Sequence, residues 1–230
     1  MKVSTGIEGL DRMLKGGLIP NKTYLISGGP GSGKTTLATH FLIEGARNGE
    51  NVMYVTLEES AEEIKEEMKL LGFDFDNYSV KFIDSSPTGE NTLFGDMFFI
   101  DLVPDIRGFK DALEEKIKES KPSRIVIDPL TMLELASKSE IIYRRDLLYL
   151  IRALRELKIT TLITTEKRNG CPEEYVVSGI VELLEFEIEG KIIRGIRVKK
   201  MRGSDFDDTI RPYRLTSRGI EVYPEAKIFE

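Results

Sequence analysis

Eight consecutive residues, Gly28-Gly-Pro-Gly-Ser-Gly-Lys-Thr35, fit the pattern G-x-x-x-x-G-K-[ST]. Glycines at 28, 29, 31 and 33 let the backbone curl until successive N–H groups converge on one anion. Lys34 adds a point charge for the β- and γ-phosphates of a nucleotide, and the Thr35 hydroxyl is a hard oxygen suited to Mg²⁺. The expected phosphate-binding stretch is Gly29, Pro30, Gly31, Ser32, Gly33, Lys34, Thr35 and Thr36. Downstream, Asp128 ends the apolar run Arg124-Ile-Val-Ile-Asp128. A carboxylate there can hold Mg²⁺ through its waters, which makes Thr35 and Asp128 the expected metal pair; a plain strand-capping Asp is the other reading. Glu58-Glu59 follow another apolar run. Either can orient or deprotonate a water attacking the γ-phosphorus, and the pair also reads as the solvated start of a Glu-rich helix.

These residues need strands that end together. Lys22–Ser27, Val52–Leu57, Val80–Ile83, Arg124–Asp128 and Ile159–Thr164 are short apolar runs suited to buried strands. Between them, helical spacing marks residues 34–48, Ser60–Leu71, Asp105–Glu119 and Ile141–Leu157. Ser60 and Glu63 form a capping box, and Thr5 with Glu8 predicts another at the start of a helix ending at Gly16-Gly17. Strands alternating with helices predict an α/β fold, a mainly parallel sheet covered by helices on both faces. The last quarter differs: Val181–Ile188, a Glu189-Gly190 turn and Ile192–Met201 predict an antiparallel hairpin. Two short strands near Arg214 and Glu221 follow.

The chain has 230 residues, with 33 Lys/Arg against 39 Asp/Glu and a net charge of −6. That balance argues against non-specific coating of nucleic acid, which needs Lys/Arg to displace phosphate counterions. One cysteine, Cys171, excludes an internal disulfide and a multi-thiolate metal site. No apolar run is long enough to span a bilayer and no basic-then-apolar leader opens the chain, so a cytoplasmic protein with no membrane partner is expected. The absence of Gln and Trp, with abundant Glu and Lys, resembles proteins from hot environments. No repeat or low-complexity linker divides residues 1–230, which read as one domain.

Several motifs in sequence carry a family likeness: Ser4-Thr-Gly-Ile-Glu-Gly-Leu-Asp11, Gly16-Gly-Leu-Ile-Pro20, the phosphate loop, Thr56-Leu-Glu-Glu59, Ile127-Asp128, Thr164-Thr-Glu166 and Lys200-Met-Arg-Gly-Ser204. Together with a tail containing Gly219-Ile220 they resemble the KaiC-like branch of the RecA/RadA ATPase superfamily. The resemblance implies a RecA-like fold with a C-terminal antiparallel extension. It also implies ATP and Mg²⁺ as ligands, and hydrolysis between subunits of a homo-oligomer, often a hexameric ring. On this likeness Glu58 and Glu59 match water-activating glutamates, while Lys200 and Arg202 match cations reaching the γ-phosphate of a neighbouring subunit. Lys-x-Arg spacing puts both side chains on one face of a strand. The reading is an oligomeric ATPase whose hydrolysis drives a regulatory or signalling change in a protein partner. The alternative is a RecA/RadA paralogue whose ATP state controls single-stranded DNA binding.

Two departures stand out: Pro129 where the family often has Ser, and Phe206 near a usual His. Residues 85–104, with Met97-Phe98-Phe99-Ile100, read as a further core strand or as a loop packing on a neighbour. The loop Glu166–Glu174 holds Lys167 and Arg168 but three Glu and no aromatic, a weak platform for single-stranded DNA. His40 reads as a packing residue rather than a catalytic one.

Overall fold

A computed structural model describes residues 1–85, 106–166 and 170–228. Its elements run α1 (Glu8–Met13), β1 (Thr23–Gly28), α2 (Lys34–Arg47), β2 (Val52–Thr56), α3 (Ala61–Leu70) and β3 (Val80–Asp84). Then follow α4 (Ile106–Ser120), β4 (Arg124–Asp128), α5 (Thr131–Leu135), α6 (Glu140–Glu156), β5 (Thr160–Glu166) and α7 (Pro172–Val176). The chain finishes with β6 (Gly179–Ile188), β7 (Lys191–Met201), β8 (Arg211–Thr216) and β9 (Gly219–Val222). The Met97–Ile100 cluster lies outside the described residues, as do Lys167 and Arg168.

The strands form a nine-stranded sheet in the order β3-β2-β4-β5-β1-β6-β7-β8-β9. Pairing is parallel from β3 through β6 and antiparallel beyond, as the alternating pattern predicts. The expected hairpin forms between β6 and β7, and β6 also runs parallel to β1, from Tyr24↔Gly179 to Gly28↔Leu183. The hairpin therefore extends the parallel sheet as its antiparallel C-terminal edge, as expected.

Residues alternate between two cores along each buried strand, as a period of two requires. Tyr24, Ile26, Tyr54, Val126 and Leu162 pack under α1, α2 and α3. Leu25, Met53, Val55, Ile125, Ile127 and Ile163 pack under α4 and α6, with Phe109, Leu113, Leu147 and Leu150. The strands are thus buried on both faces, which is why they read as continuous apolar runs. Among the described residues no helix is long and apolar enough to cross a membrane.

The Ser60 capping box is present: its hydroxyl accepts from Glu63 N at 3.2 Å, and its N–H donates to Glu63 Oε2 at 2.9 Å. The Thr5 box is not. α1 begins after Ile7 without a side-chain cap, because Asp11 captures the entering chain. Its Oδ1 accepts from Thr5 N (2.9 Å) and Thr5 Oγ1 (2.7 Å), and its Oδ2 from Ser4 Oγ (2.7 Å). A charged acceptor satisfies three donors there, more than Glu8 at the third helical position offers.

Arg124 joins layers that are distant in sequence. Its buried guanidinium donates to Glu50 Oε2 (2.8 Å) and Oε1 (2.5 Å), Ser4 O (2.8 Å) and Phe41 O (3.0 Å), and lies over the Phe41 ring. Strand β4, helix α2 and the N-terminal segment are thereby fixed to one planar group. Lysine has no fork to replace it.

His40, on α2, packs edge-on against Phe73 and accepts the Ile220 N–H at 2.9 Å through Nε2. Burial lowers its pKa from 6.5 to about 4. The unfolded chain therefore takes up a proton at this side chain before the folded one does, and stability from this source is full above the unfolded value. It is lost as pH falls through the window from 6.5 to about 4. We expect chemical denaturation to show a His40-dependent loss of about 3 kcal/mol or less across that window. His40→Gln should flatten it, and equal slopes in both proteins would contradict this account.

Candidate functional site

The phosphate loop leaves β1 and enters α2 at the carboxyl end of the parallel strands, where ligands of open α/β sheets bind. Gly33 holds the turn into α2. Its φ is +92°, a conformation that favours glycine, and a Cβ would lie 2.7 Å from Leu215 Cδ2, so the Leu215 side chain would have to shift. Gly31 lines the cavity, and a Cβ there would meet nothing within 4 Å. The loop is thus an open cradle. Ser32 is fully buried, with its Oγ unpartnered and its carbonyl accepting from Tyr213 Oη at 2.7 Å. Lys34 Nζ donates to Gly29 O at 3.1 Å, folded back onto the loop.

Asp128 receives three hydroxyl donors. Thr35 Oγ1 donates to Oδ2 at 2.9 Å, Tyr54 Oη donates to the same oxygen, and Thr164 Oγ1 donates to Oδ1. The structure therefore brings the expected metal pair into direct contact. The peptide from Asp128 to Pro129 is cis, and Pro129 lines the cavity. At the end of β2, Thr56 Oγ1 donates to Glu59 O at 2.5 Å, and Asp84 Oδ2 accepts the first N–H of α3, from Ala61, at 2.7 Å. These contacts hold Glu58 and Glu59 exposed at the mouth of the cavity. The Glu59 carboxyl is held above its ordinary value of 4.5, first by desolvation and then by the charges of Glu67, Asp128, Glu58 and Glu63.

The cavity has a volume of about 390 Å³. Asp128, Glu58, Glu59, Glu67 and Glu166 line it, against Lys34 as the cationic side chain. Ile64, Met68, Leu71 and Leu215 supply an apolar wall. Lys200 and Arg202 are absent from this lining. Arg202 N donates to Ser178 O, and Ser178 N to Thr23 O, which sets Arg202 level with the start of β1. That is roughly 17 Å along the strands from Gly28 at about 3.3 Å per residue. Lys200 Nζ donates to Glu174 O at 2.6 Å and Arg202 Nη2 to Tyr175 O at 3.3 Å, both carbonyls of α7. Neighbouring cations Arg194, Arg197 and Lys199 pair with Glu185, Glu182 and Glu174. Neither Lys200 nor Arg202 makes an ion pair among the described residues.

Sequence reasoning did not find Tyr54, Tyr213 or Glu67, and it named Thr164 only within the motif Thr164-Thr-Glu166, without a role. Period-two alternation puts Tyr54 on the Thr56 face of β2, but no spacing rule shows that its hydroxyl reaches Asp128. The residues present fit a nucleotide with Mg²⁺: an open cradle, a lysine and hard oxygen donors at Thr35 and Asp128.

Comparison with known proteins identifies the family and the fold. The family model described as "ATPase: KaiC" matches residues 3–227. The chain belongs to the KaiC family of ATPases. A UPF0273 protein of Thermotoga maritima is 32% identical, the match covering 97% of this chain and 96% of that one. The circadian clock protein KaiC3 of Synechocystis is 31% identical, covering 99% of this chain but 46% of the relative. Among solved structures, a KaiC-like protein of Pyrococcus horikoshii superposes with a TM-score of 0.81 at 30% identity, covering 97% and 99% of the two chains. The KaiC-like fold, a mostly parallel sheet with C-terminal antiparallel strands, is the one the sequence pattern predicts.

Within this KaiC-family site, carboxylate crowding makes a direct prediction. Glu67→Gln removes the largest charge contribution on Glu59 and should lower its pKa, with Glu58→Gln lowering it less. Carboxyl-carbon NMR titration of Glu59 checks both. An unmoved Glu59 titration in Glu67→Gln would show that the two carboxylates do not interact.

Proposed function

We propose that this chain binds ATP with Mg²⁺ and hydrolyses it at interfaces between copies of itself, and that hydrolysis drives a regulatory conformational change. The observation that carries this reading is the charge of the cavity: among the described residues, five carboxylates face one lysine. A polyphosphate adds further negative charge, which favours added cations at the site: a metal ion and cations lent by a neighbouring copy. Lys200 and Arg202 suit that need, because they stand at the other end of the sheet with no carboxylate partner among the described residues.

A cation carried at one end of the subunit and used at the other end of the next makes a head-to-tail contact, which closes into a ring when the rotation between neighbours closes and otherwise runs on as a helical filament. A hexameric ring is the closure the family resemblance favours. At each interface the loop amides and Lys34 hold the phosphates, and Thr35 with Asp128 are the residues that hold Mg²⁺, which neutralises phosphate charge when bound. Glu59, with Glu58 beside it, takes a proton from the attacking water. The bond from the γ-phosphorus to its bridging oxygen breaks, and the charge growing on that oxygen meets Lys200 and Arg202 of the neighbour.

Mixing tests the arrangement. Lys34→Ala subunits lack a working cradle, and Arg202→Ala subunits lack a cation to lend. Each is expected to be nearly inactive alone. In an equal mixture of randomly assembled subunits, about one quarter of head-to-tail interfaces combine an intact cradle with an intact cation. Phosphate release should recover to about that fraction of wild type. No recovery in a mixture shown to co-assemble would overturn the interfacial reading.

A further inference from the structure

Tyr54 stands out among the fully buried side chains. Its ring stacks on Phe82 with centroids 5.2 Å apart and planes 12° from parallel, and Phe82 in turn meets Phe75 edge-on. A phenylalanine would fill that space equally well. The added hydroxyl costs free energy to bury unless it bonds, and its partner is Asp128 Oδ2. We infer that Tyr54 is a positioning residue for the metal site, its hydroxyl fixing the Asp128 carboxylate in the orientation that receives a Mg²⁺-bound water.

The geometry divides the carboxylate into used and open positions. Each carboxylate oxygen accepts about two hydrogen bonds. Oδ2 already holds Thr35 and Tyr54, while Oδ1 holds Thr164. Among the described residues the open position is on Oδ1. The donors come from α2, β2 and β5, elements that flank β4 and its carboxyl end, so together they stop rotation of the carboxylate. Thr35 spends its single proton on Asp128 and keeps its lone pairs for a cation. Without the Tyr54 hydroxyl, Oδ2 gains an empty acceptor position, and the carboxylate is free to turn away from the orientation in which Oδ1 faces a metal-bound water. Outer partners of this kind commonly alter metal affinity by tenfold or more.

This inference rests on the proposed metal role of Asp128, and the experiment separates the two. Mn²⁺ replaces Mg²⁺ as a paramagnetic probe, titrated by EPR into protein carrying a non-hydrolysable ATP analogue. Nucleotide affinity is measured separately in EDTA. Tyr54→Phe should weaken Mn²⁺ binding by about tenfold while leaving metal-free nucleotide affinity within about twofold, a split that general loosening of the core does not produce. Thr164→Val, removing the donor on the other oxygen, reads the same cradle if Tyr54→Phe is unstable. Unchanged Mn²⁺ affinity in folded Tyr54→Phe, with a large loss in Asp128→Asn, would overturn the inference and leave the metal role standing. Unchanged affinity in Asp128→Asn as well would overturn both.

Discussion

Negative charge crowds the carboxyl ends of β2, β4 and β5, where Glu59, Asp128 and Glu166 meet around one cavity with Glu58 and Glu67. Like charges at close range raise each other's pKa and resist a further anion. The surrounding architecture answers this in three ways. Hydroxyls from Thr35, Tyr54 and Thr164 surround Asp128 with donors. Glycines and the start of α2 offer backbone N–H groups that carry no counter-charge. On the proposed reading the remaining deficit is met by a metal and a neighbouring subunit, which would turn a local electrostatic problem into a reason to assemble.

Parallel topology makes the crowding possible. Strands that all point the same way deliver their C-terminal residues to one edge, so residues far apart in sequence share a cavity. The antiparallel strands serve two ends of the molecule. β8 carries Tyr213 and Leu215 to the phosphate loop, where one bonds the Ser32 carbonyl and the other fills the space beside Gly33. β7 runs back along the sheet and brings Lys200 and Arg202 to the far edge, against α7. The same extension therefore buttresses its own cradle and presents the cations proposed for the next.

Much of this was legible in the sequence. The phosphate loop lies between β1 and α2 because a buried apolar run, glycines and an amphipathic stretch each dictate one local state. Local chemistry also settles the Ser60 capping box. The Thr5 box failed because Asp11 competes for the same donors from the next turn, a contest between neighbours that pattern matching does not weigh. The parallel pairing of β6 with β1 was hidden for another reason: hairpin periodicity describes one partner of a strand and is silent about the other. Tyr54 and Tyr213 were missed, and Thr164 was named without a role, because their roles lie in long-range hydrogen bonds, and alternation records which face a side chain takes but not what it reaches.

The central claim is that the site is electrostatically incomplete in a single chain. The direct measurement is ATP turnover per subunit as a function of protein concentration, with assembly state followed by mass photometry in the same samples. If cations from a neighbour complete the site, turnover rises with the assembled fraction and falls close to zero in dilute monomer. Full turnover in a dilute monomer, unchanged by concentration, would contradict the account.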